Sequence, residues 1–295
     1  WSLAEYQGLI YGRQLVRAIE ERGIRVFPSS EDCWHYDDKI AQKYLFEALD
    51  LPLVPSYVFY HKDKVLRWAG EASYPKVFKL RGGAGSVNVS LVYSEAQAVR
   101  LIMRAFSRGF PSVDRAAILG DRVRSFRKLK DINTSLGVLK CLLRFIFPSP
   151  QERLSPREIG YVYFQDFIPN NEWDTRLIVV GNRCFGFRRY CREGDFRASG
   201  SGRIAYDLNY ISKEMVAKAF DAACELKMRS AAFDFVAHNG EQLIIEVSYC
   251  YMIGSPYDDC LGYWDSDLKW HAARVDPQRF IIEDFINDNI RKDAE

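Results

Sequence analysis

The stretch that most limits the architecture begins at Val77 and reads VFKLRGGAGSVNVSLV. Lys79 closes an apolar run, Gly82, Gly83 and Gly85 follow, and the chain then resumes a valine-rich alternation of period two. Glycine reaches positive φ and leaves backbone N–H groups uncovered, so a loop of this kind can wrap closely around phosphate. Lys79 at the strand edge would offer phosphate oxygens a point charge. The element after the loop is a strand. That excludes a Walker A loop, which needs GxxxxGK[ST] and a following helix, and a Rossmann GxGxxG turn. By itself the stretch is either a phosphate-facing hairpin loop or a plain glycine-rich hairpin with one exposed lysine.

The chain is long enough, at 295 residues, for one large domain or two to three smaller ones. Apolar residues make up 48% and charged residues 27%, the balance of a soluble globular protein, and a net charge of +2 gives no field that would draw nucleic acid. Seven cysteines without a CxxC pair read as reduced thiols in a cytoplasmic protein. No apolar run approaches the ~18 residues of a membrane span, and no signal peptide is visible. A chain that begins with Trp1 reads as a segment of a longer one.

Periodicity predicts a helix from Leu9 to Glu21 and a short strand at IRVF, then a helix opening after Asp37-Asp38 and ending near Asp50, then a Pro-punctuated strand. SEAQAVRLIMRAF predicts a helix with a serine N-cap. Between 108 and 158 the basic RVRSFRKLKD is either a solvated helix face or a glycan or phospholipid contact, and LGVLKCLLRFIF reads as helix core, too short for a membrane anchor. Later come a strand at GYVYFQDFI, a hairpin at TRLIVVGNRCFGFRRY, a helix around SKEMVAKAFDAACELK and a hairpin through Asn239-Gly240. The mixed order of hairpins and helices predicts the α+β class.

That last hairpin carries the chemistry. Counting outward from Asn239-Gly240, Asp234 and Glu246 fall nearly opposite each other, each interrupting an apolar run (FDF, IIEV). Strands lie ~4.8 Å apart, so two such carboxylates on one face either share a hard cation or pair with arginine or lysine as buried salt bridges. Arg188 and Arg189 end an earlier strand, and GDFRASGSG adds Arg197. Metal carboxylates, a lysine on a glycine loop and forked arginines together describe phosphoryl transfer from a magnesium nucleotide.

From about Asp38 to Tyr251 the chain resembles the ATP-grasp superfamily, most closely the carboxylate–amine ligases that include the ribosomal-protein glutamate ligases. The DDK at the start of the second helix is similar to the family's DK, so the resemblance gives Lys39 to the nucleotide phosphates. Lys79 matches the second phosphate lysine, and RGGAGS, with Gly82, Gly83, Gly85 and Ser86, matches the loop that closes over the phosphates as a hairpin tip. FQDFIPNN matches the adenine-binding segment, which assigns Gln165, Asp166, Phe167 and Ile168. DTR places Asp174 near the ribose and Arg176 in the site wall. RRY and GDFRASGSG give Arg189 and Arg197 to the reacting acyl phosphate, and FDF…IIEVS gives Asp234, Glu246 and Ser248 to the metal. Two positions depart from the family. Ser248 replaces its usual metal-binding asparagine, and Ala198-Ser199 stand where the glutamate-ligase relatives carry another.

The resemblance implies two α+β subdomains gripping a nucleotide: residues 38–168 with an insertion near 108–158, and residues 169–295. Residues 1–37 would be the remnant of an α/β pre-ATP-grasp domain. It implies ATP with magnesium, or manganese in its place, and ligation of a small-molecule carboxylate to an amine through an acyl phosphate, with ADP and phosphate released. A cytoplasmic enzyme with no nucleic-acid partner, as a monomer or a homodimer, fits that picture. A phosphotransferase on the same fold, ligation to a thiol or hydroxyl, and a non-catalytic nucleotide-binding module remain as alternatives. The aromatic, acidic segment from Tyr249 to Asp267 either lines an acceptor pocket or packs the end of the chain, and a sugar acid from polysaccharide biosynthesis or an amino acid would suit the former.

Overall fold

A computed structural model describes residues 8–83, 88–112, 115, 118–120, 122–123, 126, 132–147, 150–252 and 254–293. The chain divides into two units, one of residues 10–55 with 168–295 and the other of residues 56–167.

In the first unit, two short turns set the registers of the larger sheet. β5 (Trp173–Val180) and β6 (Arg183–Tyr190) are joined by Gly181-Asn182. Gly181 has φ +56°, the left-handed region that favours glycine. β8 (Ser230–His238) and β9 (Glu241–Ser248) are joined by Asn239 (φ +50°) and Gly240 (φ +85°), the two positive angles of a type I′ turn. A β-bulge interrupts this ladder: Asp234 faces Glu246 while its neighbour Phe235 faces Ile244. With β7 (Ile204–Ala205), β10 (Tyr263–Asp265) and β11 (Trp270–His271) the sheet has seven antiparallel strands, in the order β11-β10-β6-β5-β8-β9 with β7 beside β6.

Alternation gives this sheet two buried faces. Ile178, Val180, Phe185, Phe187 and Ala232 pack on one side against Tyr257, Cys260, Val275 and Phe280, the last from the C-terminal helix Pro277–Asp293. The helix Lys213–Glu225, capped by Ser212, buries Met215, Val216, Ala219, Ala222 and Ala223 and packs on β5, β6 and β8. Of the early helices, α1 is Arg13–Glu20, α2 is Ser30–Cys33 and α3 is Lys39–Ala48. The Asp38 carboxylate caps α3 by accepting from the N–H groups of Ile40 (3.2 Å) and Ala41 (3.0 Å), which fixes Lys39 as its first residue. Gln42 then ties α3 to β9: its amide donates to Val247 O (2.8 Å) and accepts from Val247 N (3.3 Å). The strand predicted at IRVF does not form. Residues 24–26 have no regular structure, because a strand needs a paired ladder and no described strand runs beside them.

The second unit holds a four-stranded antiparallel sheet, β1 (Ser56–Phe59), β4 (Val162–Asp166), β2 (Lys76–Lys79) and β3 (Val89–Val92) in that order. β2 and β3 pair from Lys76↔Val92 to Lys79↔Val89, so the glycine stretch is the tip of an antiparallel hairpin, as the valine alternation predicts. Helices α4 (Lys62–Glu71) and α5 (Glu95–Ala105) contribute Val65, Ala69, Ala98 and Ile102 to a core with Phe78, Val92, Val162 and Phe164. The aliphatic run forms helix α6 (Ile132–Ile146). It is not the core helix expected. Cys141 is buried, but Leu136, Leu139, Leu142 and Leu143 are each about half exposed.

Candidate functional site

The sheet of the first unit concentrates charge on one face. Across neighbouring strands Asp174 pairs with Arg189, Arg176 with Asp234, and Asp234 with Glu246. Arg176 forks onto Asp234 (Nε–Oδ1 2.6 Å, Nη2–Oδ2 2.7 Å) and donates from Nη1 to Tyr257 OH (2.9 Å). Arg189 forks onto Asp174 with two bonds of 2.7 Å and also reaches Asp234 Oδ2 at 2.8 Å. Two acids and two bases thus form one buried network of zero net charge, with Asp234 at its centre and 4% exposed. Bidentate arginine–carboxylate contacts are the strong form of this bond.

The two carboxyl groups are pushed apart. Burial raises the Asp174 carboxyl to about 6 against the pull of Arg189, and the charge of Asp234 adds to the rise. Burial would raise Asp234 as well, but Arg176 and then Arg189 hold it well below the usual carboxylate range.

Glu246, across the ladder from Asp234, is more open, with its side chain 34% exposed and Lys39 Nζ 3.9 Å from its Oε2. Lys39 itself is buried. The alternatives left by the sequence meet here, since Asp234 is engaged by arginine while Glu246 is not. An ionised carboxylate has about four lone-pair positions. Arginine occupies one on Oδ1 and two on Oδ2 of Asp234, which leaves one on Oδ1 on the same face as Glu246. Two hard oxygen donors on one face of the ladder therefore fit a magnesium ion in type. Ser248 Oγ donates to Cys250 O (2.8 Å) and accepts from Cys250 N (3.1 Å), so it closes a local turn and has one lone pair to offer. Among the described residues no group of three or more His, Cys, Asp or Glu side chains gathers into a metal site.

Arg197 lies in the loop after β6. Asp195 grips its guanidinium, Nη2–Oδ2 2.6 Å and Nε–Oδ2 2.9 Å. In the second unit, Lys79 Nζ donates to Gln165 Oε1 at 2.6 Å, and Gln165 Nε2 donates in turn to Ser56 Oγ at 3.0 Å. Lys79 and Gln165 are both buried. Asp166 pairs with Lys76, and Phe167 and Ile168 follow it, half-buried. Gly82 and Gly83 (φ +122°) lie at the start of the hairpin tip. Gly85 and Ser86 lie outside the described residues.

Residues 151–252, about a third of the chain and the segment that holds the whole four-residue network, match the RimK-like ATP-grasp domain. The fold is similar to that of N5-carboxyaminoimidazole ribonucleotide synthetase in its ADP complex, at 15% identity and a TM-score of 0.53 over 90% of this chain and 61% of that one. That segment, residues 151–252, resembles a RimK-like ATP-grasp domain. The chain's α+β architecture is also similar to the biotin carboxylase domain of 2-oxoglutarate carboxylase from Hydrogenobacter thermophilus, solved with MgADP and bicarbonate. There the identity is 16% and the TM-score 0.50, over 87% of this chain and 49% of that one. A RimK domain ATP-grasp protein from Sphaerobacter thermophilus matches at 15% identity and a TM-score of 0.47, over 80% and 67% of the two chains. The chain thus spans about half to two thirds of the lengths of these structures. A search of curated proteins finds no significant match.

Three residues of the arrangement escaped the sequence reading. Tyr257 lies in the aromatic segment, whose Tyr251, Tyr257 and Tyr263 join the core, so packing accounts for those rings. Asp195 stands two residues before Arg197, close enough for the pair to have been legible. Lys76, three residues before Lys79, holds Asp166 and packs over Tyr57 at 5.2 Å. On the sheet face carrying Thr175 and Phe235, a cleft of about 390 Å³ is also lined by Trp173, Tyr210 and Gln242.

Proposed function

We propose that the chain is an ATP-dependent, ADP-forming carboxylate–amine ligase. The observation that carries this reading is the buried Asp174–Arg189–Asp234–Arg176 network beside Glu246 and Lys39, inside the segment that matches the RimK-like domain. The ammonium groups of Lys39 and Lys79 would hold the nucleotide phosphates, and the backbone of Gln165 to Ile168 the adenine edge. Gly82, Gly83, Gly85 and Ser86 would cover the phosphates. Asp234 and Glu246 would hold magnesium or manganese, with Ser248 beside them, and the ion would neutralise phosphate charge when bound.

In the first step a carboxylate oxygen of the substrate attacks the γ-phosphorus, the bond to the β-phosphate oxygen breaks and ADP leaves. In the second an amine nitrogen attacks the carbonyl carbon of the acyl phosphate. The C–O bond to phosphate then breaks, and the amine loses its proton. Arg189 spends Nε and Nη2 on the two aspartates, so its Nη1 is directed to neither. That nitrogen and Arg197 are the proposed donors to the tetrahedral oxyanion. Both oxygens of Asp174 carry Arg189, so Asp174 serves to position that guanidinium rather than only to line a ribose site, and Arg176 does the same for Asp234. Seven free thiols suit a reducing cytoplasm.

ADP release screened against pools of sugar acids and amino acids with amines, in the presence of hydroxylamine, tests the reading. A hydroxamate formed with one carboxylate supports it. A stable phosphate ester would make the chain a kinase, a thioester or ester would change the acceptor, and nucleotide binding without ADP release would make it a binding module.

A further inference from the structure

Packing explains the ring of Tyr257 but not its hydroxyl. The ring lies edge-on to Phe187 at 5.2 Å and against Tyr251, also at 5.2 Å, within the core of the first unit. A phenylalanine would fill that space equally well, since a buried hydroxyl adds nothing to apolar packing and must find a polar partner. The partner is Arg176, whose Nη1 donates to the Tyr257 hydroxyl at 2.9 Å.

That hydroxyl is held from both ends. Tyr257 N donates to Gly254 O (2.9 Å), the Tyr206 hydroxyl donates to Pro256 O (3.1 Å), and Ser255 Oγ donates to Asp259 Oδ2 (2.6 Å). With its backbone turn tied and its ring packed on two sides, Tyr257 offers Arg176 an acceptor in a fixed place.

A fixed acceptor at Nη1 decides which edge of the guanidinium meets Asp234. A guanidinium can fork onto a carboxylate through Nε with Nη2, or through Nη1 with Nη2. Arg176 uses the first edge, and its Nη1, engaged by Tyr257, is withdrawn from the second. The Arg176 side chain is only 16% exposed, so water is a poor substitute for the lost acceptor if the hydroxyl is removed. A change of edge would turn the Asp234 carboxylate, and with it the lone pair that stays open on Oδ1 on the side of Glu246.

We propose that Tyr257 is a positioning residue for metal binding: its hydroxyl holds Arg176 to the Nε–Nη2 edge and so keeps the open lone pair of Asp234 in one direction. This rests on the reading that Asp234 and Glu246 hold the ion. Tyr257 acts through Arg176 and is not itself a ligand. Outer bonds that orient a ligating carboxylate are worth about 10–100-fold in metal affinity.

Manganese binding, read by electron paramagnetic resonance with and without ADP, tests this. Wild-type binding that Glu246→Gln abolishes assigns the ion to the two carboxylates. Tyr257→Phe, which keeps the ring, should then bind manganese at least about tenfold more weakly, while metal-free ADP binds within about twofold of the wild type. Tyr251→Phe is the control. It strips the adjacent ring of a hydroxyl that bonds Ser230 (2.8 Å), outside the network, and should leave manganese affinity within about twofold. Arg176→Lys keeps the charge but has no edges to choose between, and should lose at least as much affinity as Tyr257→Phe. Full affinity in Tyr257→Phe or in Arg176→Lys overturns the positioning role and leaves both carboxylates as ligands. Equal losses in Tyr257→Phe and Tyr251→Phe overturn it too, because they would mark a general loosening of the aromatic stack. Manganese binding that survives Glu246→Gln, or no binding to the wild type, removes the metal reading and the proposal with it.

Discussion

Asp234 and Glu246 face each other across one ladder and are proposed to share one role, yet the protein should respond very differently to losing each. Asp234→Asn removes a charge whose side chain is 6% exposed and which receives three guanidinium bonds. Arg189 keeps Asp174, but Arg176, its side chain only 16% exposed, is left facing an amide. Breaking a buried pair from one side costs about 3–5 kcal/mol, because the surviving charge has nowhere to go. At about 2–4 °C per kcal/mol for a chain of this size, the melting temperature should fall by roughly 10 °C. Glu246→Gln removes a charge 34% exposed whose nearest cation, Lys39 Nζ, lies 3.9 Å away, so the cost should stay below about 1 kcal/mol. Denaturant unfolding of both variants, alongside ADP release, separates the structural from the catalytic effect. Both should lose ADP release. If Asp234→Asn unfolds within about 1 kcal/mol of the wild type, the network does not stabilise the sheet as argued. If Glu246→Gln keeps full ADP release, the metal assignment falls.

Titration offers a second check. Asp174, raised to about 6 by burial, takes up a proton in the folded state first, so its contribution to stability grows as pH falls from about 6 towards its unfolded value near 4. Asp234 is depressed by Arg176 and Arg189. Its contribution is complete above the unfolded value and is lost only as pH falls well below it. Carbon NMR of labelled aspartates should show one carboxyl titrating near 6 and one still ionised at about pH 3, and two ordinary curves near 4 would refute the network. Gln42→Ala strips Val247 N–H and C=O of their partner and should cost about 2 kcal/mol in denaturant unfolding, with α3 the first helix to gain hydrogen exchange. Arg197→Ala should bind nucleotide within about twofold of the wild type while amide formation drops about a hundredfold. Equal loss of both would give Arg197 a structural role.

The parts of this fold that were legible in the sequence are those set by short turns. Asn239-Gly240 and Gly181-Asn182 dictate hairpins, and counting from the first brings Asp234 opposite Glu246, as observed. The valine alternation after Gly85 likewise announces β3. What the sequence does not carry is which strand lies beside which at long range. Arg176 is 58 residues before Asp234, and only the pairing of β5 with β8 makes it the partner of that carboxylate. The same limit explains IRVF, which has the residues of a strand but no ladder to join. It also explains α6, where an aliphatic composition is equally compatible with a core and with an exposed stripe.

The bulge in β9 sets which changes in chain length this hairpin can absorb. Phe235 and Asp234 are adjacent on β8, but their partners Ile244 and Glu246 are separated by Ile245. Deleting Ile245 would join those partners directly, with Glu246 still on the side of Asp234, and the chief loss would be the local twist that the extra residue adds. Deleting or inserting one residue between Gly240 and Ile244 instead would slide the strand by one place and turn Glu246 away from Asp234 to the opposite face. Natural length variation in this hairpin should therefore be tolerated at Ile245 and excluded from the run between it and the turn.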